Sequence, residues 1–335
     1  MIETSILIVL LFALIFVGIP ICFVFAIVSV VGLLMVSGNP MIIIPQGIFG
    51  GMNSFTILAI PFFILAGEIM NTGGITARLV RFSSLVVGRI KGSLAQVNIV
   101  SSMFFGGITG SSVADTSAIG GMLIPAMVEE GYDPDFSVAV TASSSVIGPI
   151  IPPSIVMVVY GATVSTSIGA LFMGGIIPGI LVGLSLMLVV AIMAKKQNFP
   201  RRTEKYTVKE SMQIAMAALL PLGMPLIIMG GILSGVFTPT ESGAISAVYS
   251  LIISAFFTKG EIFRQLPKLL LKTAKTTATV LLIMGIATVL GRIFATLQVQ
   301  KLLGAFVTDN ISSKIVYLIF VNILLLFMGM FMEGN

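Results

Sequence analysis

The sequence predicts an all-α polytopic membrane protein, on three observations. Of its 335 residues, 57% are hydrophobic and only 9% are charged, which is far more apolar than a soluble domain. Apolar runs long enough to span a bilayer recur along the chain, from residues 6–36 to residues 315–332. Short segments of alternating polarity, typical of a membrane β-barrel, are absent from the sequence. A bundle of helices, which satisfies its own backbone hydrogen bonds in lipid, is therefore expected.

The first element is predicted to be a retained membrane helix in an N-terminal scaffold region, residues 1–53. It lacks a basic start and a small-residue cleavage site, and its apolar run is longer than the core of a signal peptide. The single cysteine, Cys22, lies in this predicted helix and excludes an internal disulfide. The absence of histidine removes the commonest metal ligand and acid–base group.

Clusters of Lys and Arg between the apolar runs predict which links are cytoplasmic. Two apolar runs, residues 212–233 and 242–257, separate the second cluster from the third, and an even number of spans returns the chain to the same side. Residues 195–272 are therefore expected to form a cytoplasmic link with connecting scaffold helices. This placement in links also argues against nucleic-acid binding, despite the net charge of +5. The three clusters are Arg78, Arg81, Arg89 and Lys91; Lys195, Lys196, Arg201, Arg202, Lys205 and Lys209; and Lys259, Arg264, Lys268, Lys272 and Lys275.

Residues 54–194 are predicted to form a first repeat that contains a re-entrant hairpin at about residues 92–130. The centre of the hairpin, residues 105–117, is too rich in Gly, Ser and Asp to be a helix that faces lipid. Asp133 and Pro134 then supply an N-cap and a first-turn proline for the next helix. The hairpin is therefore expected to line protein or water rather than lipid.

The helix that follows, at about residues 136–162, is predicted to be broken. Gly148 and three prolines, Pro149, Pro152 and Pro153, interrupt its apolar run, and proline removes a hydrogen bond of the helix. A hairpin followed by a broken helix can form a site near the middle of a membrane, because the freed amides and carbonyls can bind ions and substrate.

Residues 273–335 are predicted to begin a second, inverted repeat. Residues 276–297 start from the cytoplasmic side, whereas residues 56–71 start from outside. Residues 313–332 then lead to a second polar tip at residues 328–335. Because a hairpin arm without a returning arm would leave backbone unpaired in lipid, the protein is expected to continue beyond the printed sequence.

Three motifs, in this order, resemble the large membrane subunit of tripartite ATP-independent periplasmic (TRAP) transporters. The resemblance implies an elevator carrier of the bacterial inner membrane that imports an organic acid anion, commonly a C4-dicarboxylate or a sialic acid, and is driven by sodium. It implies two protein partners, a small membrane subunit and a periplasmic binding protein, and no cofactor besides the coupling sodium ions. The motifs are Gly110-Ser111-Ser112-Val113-Ala114-Asp115, Gly148-Pro149-Ile150-Ile151-Pro152-Pro153-Ser154 and Phe237-Thr238-Pro239-Thr240-Glu241-Ser242.

Residues at the two breaks are the candidate sodium ligands. Serine hydroxyls and exposed carbonyls suit a hard, weakly held cation, and an ionised Asp115 inside a membrane needs a partner or a cation. In the structural alternative, Asp115 caps the returning arm of the hairpin and the serines are packing contacts. The predicted sodium-binding residues are Gly110, Ser111, Ser112, Asp115, Ser143, Ser144 and Gly148.

Arg292 is the predicted anchor for the acid group of the substrate, because it is the one basic residue inside the second repeat's first span and a guanidinium binds a carboxylate through two hydrogen bonds. Alternatively, Arg292 reaches the outer interface from the end of its helix. Ser145 and Ser154 complete the predicted substrate site. Glu241 is interpreted as a helix cap. Glu68 is interpreted as an interfacial residue or as a partner of the Arg78 cluster, with no role in transport.

Two other functions are open from the sequence. The first is a stand-alone anion carrier of the same architecture that needs no binding protein. The second is a membrane-embedded hydrolase that uses Asp115 and a serine, but no histidine, lysine base or second nearby acid completes a catalytic set. The sequence therefore favours a transporter over an enzyme.

Overall fold

The computed structural model describes residues 2–36, 40–197, 199, 206–311 and 313–329, and all regular elements of these residues are helical. Arg201, Arg202 and Lys205 of the second basic cluster lie outside the described residues, as does the predicted second tip from residue 330 onward. In chain order the helices are α1 (Ile2–Phe16), α2 (Ile21–Met35), α3 (Ile43–Met52), α4 (Ala59–Thr72), α5 (Ile75–Val87), α6 (Ser93–Thr109), α7 (Ser112–Asp115), α8 (Gly121–Glu129), α9 (Pro134–Ser145), α10 (Ile155–Val164), α11 (Ile168–Lys196), α12 (Val208–Leu233), α13 (Pro239–Phe257), α14 (Ile262–Thr296), α15 (Val299–Asn310) and α16 (Lys314–Gly329).

Five segments of the described chain are long and apolar enough to cross a membrane. They comprise α4 with the 3₁₀ turn before it (Phe55–Thr72), α11, α12, α13 and α14. The chain divides into two compact units, one of residues 1–54 and 278–335 and the other of residues 55–277. The all-α polytopic fold predicted from the sequence is confirmed.

The first unit corrects the prediction of a single first helix over residues 6–36. The chain instead forms two helices, α1 and α2, which pack against each other. Gly18 adopts a left-handed φ of +86°, and Pro20 at the N-cap of α2 cannot donate a backbone hydrogen bond. Cys22 therefore lies in the first turn of α2. The core of this unit consists of Leu7, Val24, Val28, Leu33, Val289, Leu290 and Ile293.

In the second unit, α4 and α13 pack closely along their lengths. Small residues make this approach possible, because a methyl group on Gly243 would lie 3.0 Å from Phe62 Cβ. The start of α13 is a capping box, in which the Thr238 hydroxyl accepts from the Glu241 N–H and the Glu241 carboxylate accepts from the Thr238 N–H. The interpretation of Glu241 as a helix cap is therefore confirmed.

Candidate functional site

The first break in the second unit is at Gly110, between α6 and α7. Gly110 has a left-handed φ of +61°, and its N–H donates to the Gly106 carbonyl at 2.9 Å. The Ser111 hydroxyl then caps α7 by accepting from the Ala114 N–H at 3.4 Å. A π-helical turn, Thr116–Gly120, joins α7 to α8, and α6 contacts α8. The chain therefore reverses direction at a polar tip formed by Gly110 and Ser111.

The second break separates α9 from α10 over residues 146–154. The chain passes through turns in which the Gly148 N–H donates to the Ser145 carbonyl at 3.0 Å. The Ser154 hydroxyl starts α10 by accepting from the Met157 N–H at 3.3 Å. Because the three prolines of this segment have no N–H, a continuous helix is not available to it.

The structure brings the two breaks into direct contact. A methyl group on Gly106 would lie 2.8 Å from the Gly148 Cα, and one on Gly110 would lie 2.5 Å from the Pro153 carbonyl oxygen. A methyl group on Gly148 would lie 3.3 Å from the Ser111 carbonyl oxygen. Glycine is therefore needed at positions 106, 110 and 148, because backbone packs on backbone here.

A buried polar network joins α6 to α9 beside the two breaks. The Asn98 amide donates to the Thr141 hydroxyl at 2.7 Å, and the Ser144 hydroxyl donates to Asn98 Oδ1 at 3.1 Å. The Ser102 and Ser144 hydroxyls lie 3.1 Å apart. All four side chains are fully buried. Of these residues the sequence prediction included only Ser144, although the spacing of Asn98 and Ser102, one helical turn apart, was a signal for a shared polar face.

Asp115 lies at the end of α7 and is 0% exposed. The Ser102 hydroxyl is the side-chain donor that faces its carboxylate, but within the described part of the chain neither carboxylate oxygen has a partner in hydrogen-bond geometry. A buried carboxylate without a partner is costly unless it takes up a cation or a proton. The alternative that Asp115 caps the returning arm is wrong, because its side chain makes no capping hydrogen bond.

The remaining predicted residues occupy different surroundings. Ser143 of α9 is exposed, whereas its neighbour Ser144 is buried. Ser112 is half-buried at the start of α7. The Ser145 hydroxyl is buried and donates to the Ala142 carbonyl at 2.8 Å. The Ser154 hydroxyl is the cap of α10, so its side chain has a structural role at the position predicted for substrate.

Arg292 belongs to the other compact unit. It is exposed on α14, one turn before the helix ends. A methyl group on Gly50 of α3 would lie 3.9 Å from the Arg292 Nη2. Substrate anchoring and interfacial placement therefore both stay predictions for this residue.

A small cavity of about 80 Å³ lies against the hairpin tip. Its walls come from α4, from the tip, from the first residue of α10 and from α14. The lining includes Gly67, Glu68, Asn71, Thr109, Ser111, Ile155 and Thr276.

A larger cavity, of about 440 Å³, shares Glu68 and Asn71 with the tip cavity. Lys268, Lys272 and Lys275 line it, and Lys272 Nζ forms an ion pair with Glu68 Oε2 at 2.8 Å. The predicted pairing of Glu68 with the Arg78 cluster is therefore wrong. Three lysines against one glutamate make the surroundings of the tip cavity attractive to anions.

Comparisons with known proteins give the family to which the chain is similar. Residues 8–335 match the model of the DctM component of tripartite ATP-independent periplasmic transporters. The chain is 39% identical over 322 residues to the sialic acid TRAP transporter large permease protein SiaM of Vibrio cholerae, covering 96% of this chain and 75% of that protein. It is 39% identical over 288 residues to the C4-dicarboxylate TRAP transporter large permease protein DctM of Pseudomonas aeruginosa, covering 86% and 67%. It is 36% identical over 291 residues to the 2,3-diketo-L-gulonate TRAP transporter large permease protein YiaN of Escherichia coli, covering 87% and 68%.

Proposed function

Because the chain belongs to the DctM family, the large permease subunits of TRAP transporters, we propose that it couples sodium entry to the uptake of a small organic acid anion. Family membership and its apolar helices make it a multi-pass transport protein of the bacterial inner membrane rather than an enzyme. The coupling ion, the substrate and the partners are the proposed part.

The observation that carries the sodium proposal is the buried, unpartnered carboxylate of Asp115. The Ser102 hydroxyl faces this carboxylate, the Ser144 hydroxyl lies 3.1 Å from that of Ser102, and the Ser111 carbonyl accepts from the Asp115 N–H at 3.1 Å. Such oxygen donors suit a hard cation that must also be released. We therefore keep the predicted sodium set, Gly110, Ser111, Ser112, Asp115, Ser143, Ser144 and Gly148, and add Ser102 as a neighbour that orients Asp115.

The substrate proposal rests on charge. The relatives are named for sialic acid, C4-dicarboxylate and 2,3-diketo-L-gulonate, which share an acid group. The tip cavity adjoins a cavity lined by Lys268, Lys272 and Lys275, so an anion between the tip and the cytoplasmic side meets favourable potential. Ser145, Ser154 and Arg292 remain the proposed substrate contacts.

Coupling follows from the contact between the two breaks. A sodium ion at Asp115 neutralises the carboxylate and stabilises the packing of the tip on residues 146–154, and this ordered arrangement then binds the anion more tightly. We propose that the hairpin and the broken helix move together as the mobile part of an elevator carrier. The proposed partners are a small membrane subunit and a periplasmic binding protein that delivers the substrate.

Uptake into proteoliposomes tests this function. The transporter, reconstituted with its small subunit, is given radiolabelled succinate or sialic acid, with and without a sodium gradient and the cognate binding protein. We expect uptake only when both are present. Uptake that is independent of the sodium gradient would refute the coupling proposal. Uptake that is independent of the binding protein would favour a stand-alone carrier.

A further inference from the structure

A second basic cavity, of about 390 Å³, lies between α5 and the start of α12. Arg78 and Arg81 line it from α5, and Tyr206, Glu210 and Gln213 line it from the other side, with Ile214 and Ala217 behind them. It shares no lining residue with the two cavities beside the hairpin tip. Any ligand bound here therefore acts outside the transport site.

The two arginines face the same cavity one helical turn apart, and like charges at this spacing repel. Burial and the neighbouring charge of Arg81 lower the pKa of the Arg78 guanidinium. The acid that lines the cavity is already engaged, because Glu210 Oε2 accepts from the Thr207 N–H and hydroxyl, each at 2.8 Å. Across the described residues neither guanidinium has an ion pair with a carboxylate. An anion between them would relieve this repulsion.

Two of the donors that line the cavity, Arg78 and Tyr206, make contacts that hold them in place. Arg78 Nη1 donates to the Gly74 carbonyl at 2.8 Å, and its guanidinium lies 3.8 Å from the centroid of the Phe257 ring. The Tyr206 hydroxyl lies 3.4 Å from the Ser84 hydroxyl. Two guanidiniums, a phenol and the Gln213 amide form a set of donors that suits the oxygens of a phosphate group.

The surroundings indicate a lipid as the source of that phosphate. Met216 and Leu220, three and seven residues after Gln213 and therefore beside the cavity-lining face of α12, are 65% and 42% exposed. In a membrane protein such a face contacts acyl chains. α5 is amphipathic, with Ile75, Leu79 and other residues buried on one side, and its basic cluster is predicted to be cytoplasmic.

We propose that this cavity binds the phosphate headgroup of an anionic phospholipid of the cytoplasmic leaflet. The bound lipid bridges α5 and α12. Because α5 leads directly into α6 and packs along it, occupancy of the site stabilises the base of the hairpin.

Thermal unfolding of the purified transporter in neutral detergent tests the site without any transport assay. Dioleoylphosphatidylglycerol is compared with dioleoylphosphatidylcholine at equal mole fraction, and we expect the anionic lipid to raise the midpoint by roughly 2–4 °C. Arg81→Gln should abolish this difference. Ala217→Leu, which fills the cavity and leaves both arginines intact, should abolish it as well. Lys91→Gln, which removes the same charge at the end of the same basic cluster, should retain it.

Three results would overturn the proposal. The first is a rise in the unfolding midpoint with the anionic lipid that persists in both Arg81→Gln and Ala217→Leu. The second is loss of this rise in Lys91→Gln as well, because the lipid effect would then be a general attraction between basic residues and negative charge. The third is an equal rise with inorganic phosphate against chloride at matched ionic strength, which would assign the cavity to a soluble anion. If Arg81→Gln does not fold, Ala217→Leu decides, with the bound phosphatidylglycerol counted by native mass spectrometry.

Discussion

Buried serines line two helix interfaces of this protein and are used differently in each. Between α4 and α13, the hydroxyls of Ser246 and Ser250 donate to carbonyls one turn earlier in α13, at 2.6 and 2.9 Å. The Ser254 hydroxyl donates across to the Ile69 carbonyl of α4 at 3.1 Å. Each of these bonds ends on a backbone oxygen. These three serines therefore serve close packing, although the buried Ser242 hydroxyl on the same helix has no hydrogen-bond partner among the described residues.

Between α6 and α9 the polar side chains bond mainly to one another. Asn98, Ser102 and Ser144 form a connected set, and the neighbouring Asp115 is buried without a partner among the described residues. Low local dielectric strengthens a complete network and makes an incomplete one costly. Buried serines alone therefore do not indicate a binding site, whereas a polar network beside a buried acid without a partner does.

The largest effect expected from this comparison is that of Asp115→Asn. Loss of one partner of a buried charge pair costs about 3 kcal/mol, so sodium-driven uptake should fall on the order of 100-fold. Sodium should also raise the midpoint of thermal unfolding of the native protein and leave that of the variant unchanged. Proteoliposome uptake and thermal unfolding in sodium and in potassium measure both effects. If sodium still raises the unfolding midpoint of the variant, Asp115 is not part of the sodium site.

The contact between the two breaks gives the second prediction. Gly106→Ala places a methyl group 2.8 Å from the Gly148 Cα, so the two segments must separate, and we expect a loss of about 1–3 kcal/mol in stability together with weaker sodium binding. Gly174→Ala in α11 is the matched control, because a methyl group there has open space and alanine favours the helix. Thermal unfolding and the sodium dependence of uptake compare the two. Equal behaviour of both variants would contradict the close contact.

The sequence predicts much of this arrangement and misses parts for physical reasons. The breaks at Gly110 and near Gly148 follow from local residue types, and so do the capped starts of α9 and α13. The break at Gly18 was hidden because the apolar run continues through it. Glu68 pairs with Lys272, which lies 204 positions away, and Asn98 meets Thr141 only after α6 packs on α9. Partners created by packing are not readable from one segment.

The third prediction compares one serine from each interface. Ser144→Ala removes a member of the network beside Asp115, and we expect the sodium concentration for half-maximal uptake to rise about tenfold, as for the loss of a residue that orients a metal ligand. Ser250→Ala removes a hydroxyl that donates only to a backbone carbonyl, so sodium dependence should be unchanged and stability should fall by no more than about 1 kcal/mol. Sodium titrations of uptake by the two variants measure the contrast. A similar shift in both would remove the distinction between the interfaces.

The smallest effect concerns the ion pair of Lys272 with Glu68, the glutamate that lines both the tip cavity and the lysine-lined cavity. The side chain of Lys272 is 61% exposed and that of Glu68 is 19% exposed, so solvent screens the pair, and its contribution to stability should be about 0.2–1 kcal/mol. A double-mutant cycle with Glu68→Gln and Lys272→Gln measures that coupling energy by thermal unfolding.

The positive charge of Lys272 matters more for binding the anion than for the stability of the fold. Substrate enclosed in the vesicles should inhibit uptake, and we expect Lys272→Gln to weaken this inhibition, more strongly at low than at high internal salt. Lys209 is an exposed lysine of α12 that lines neither cavity. As the control, Lys209→Gln should leave the inhibition unchanged. Equal inhibition in the native protein and in Lys272→Gln would restrict this lysine to a structural role.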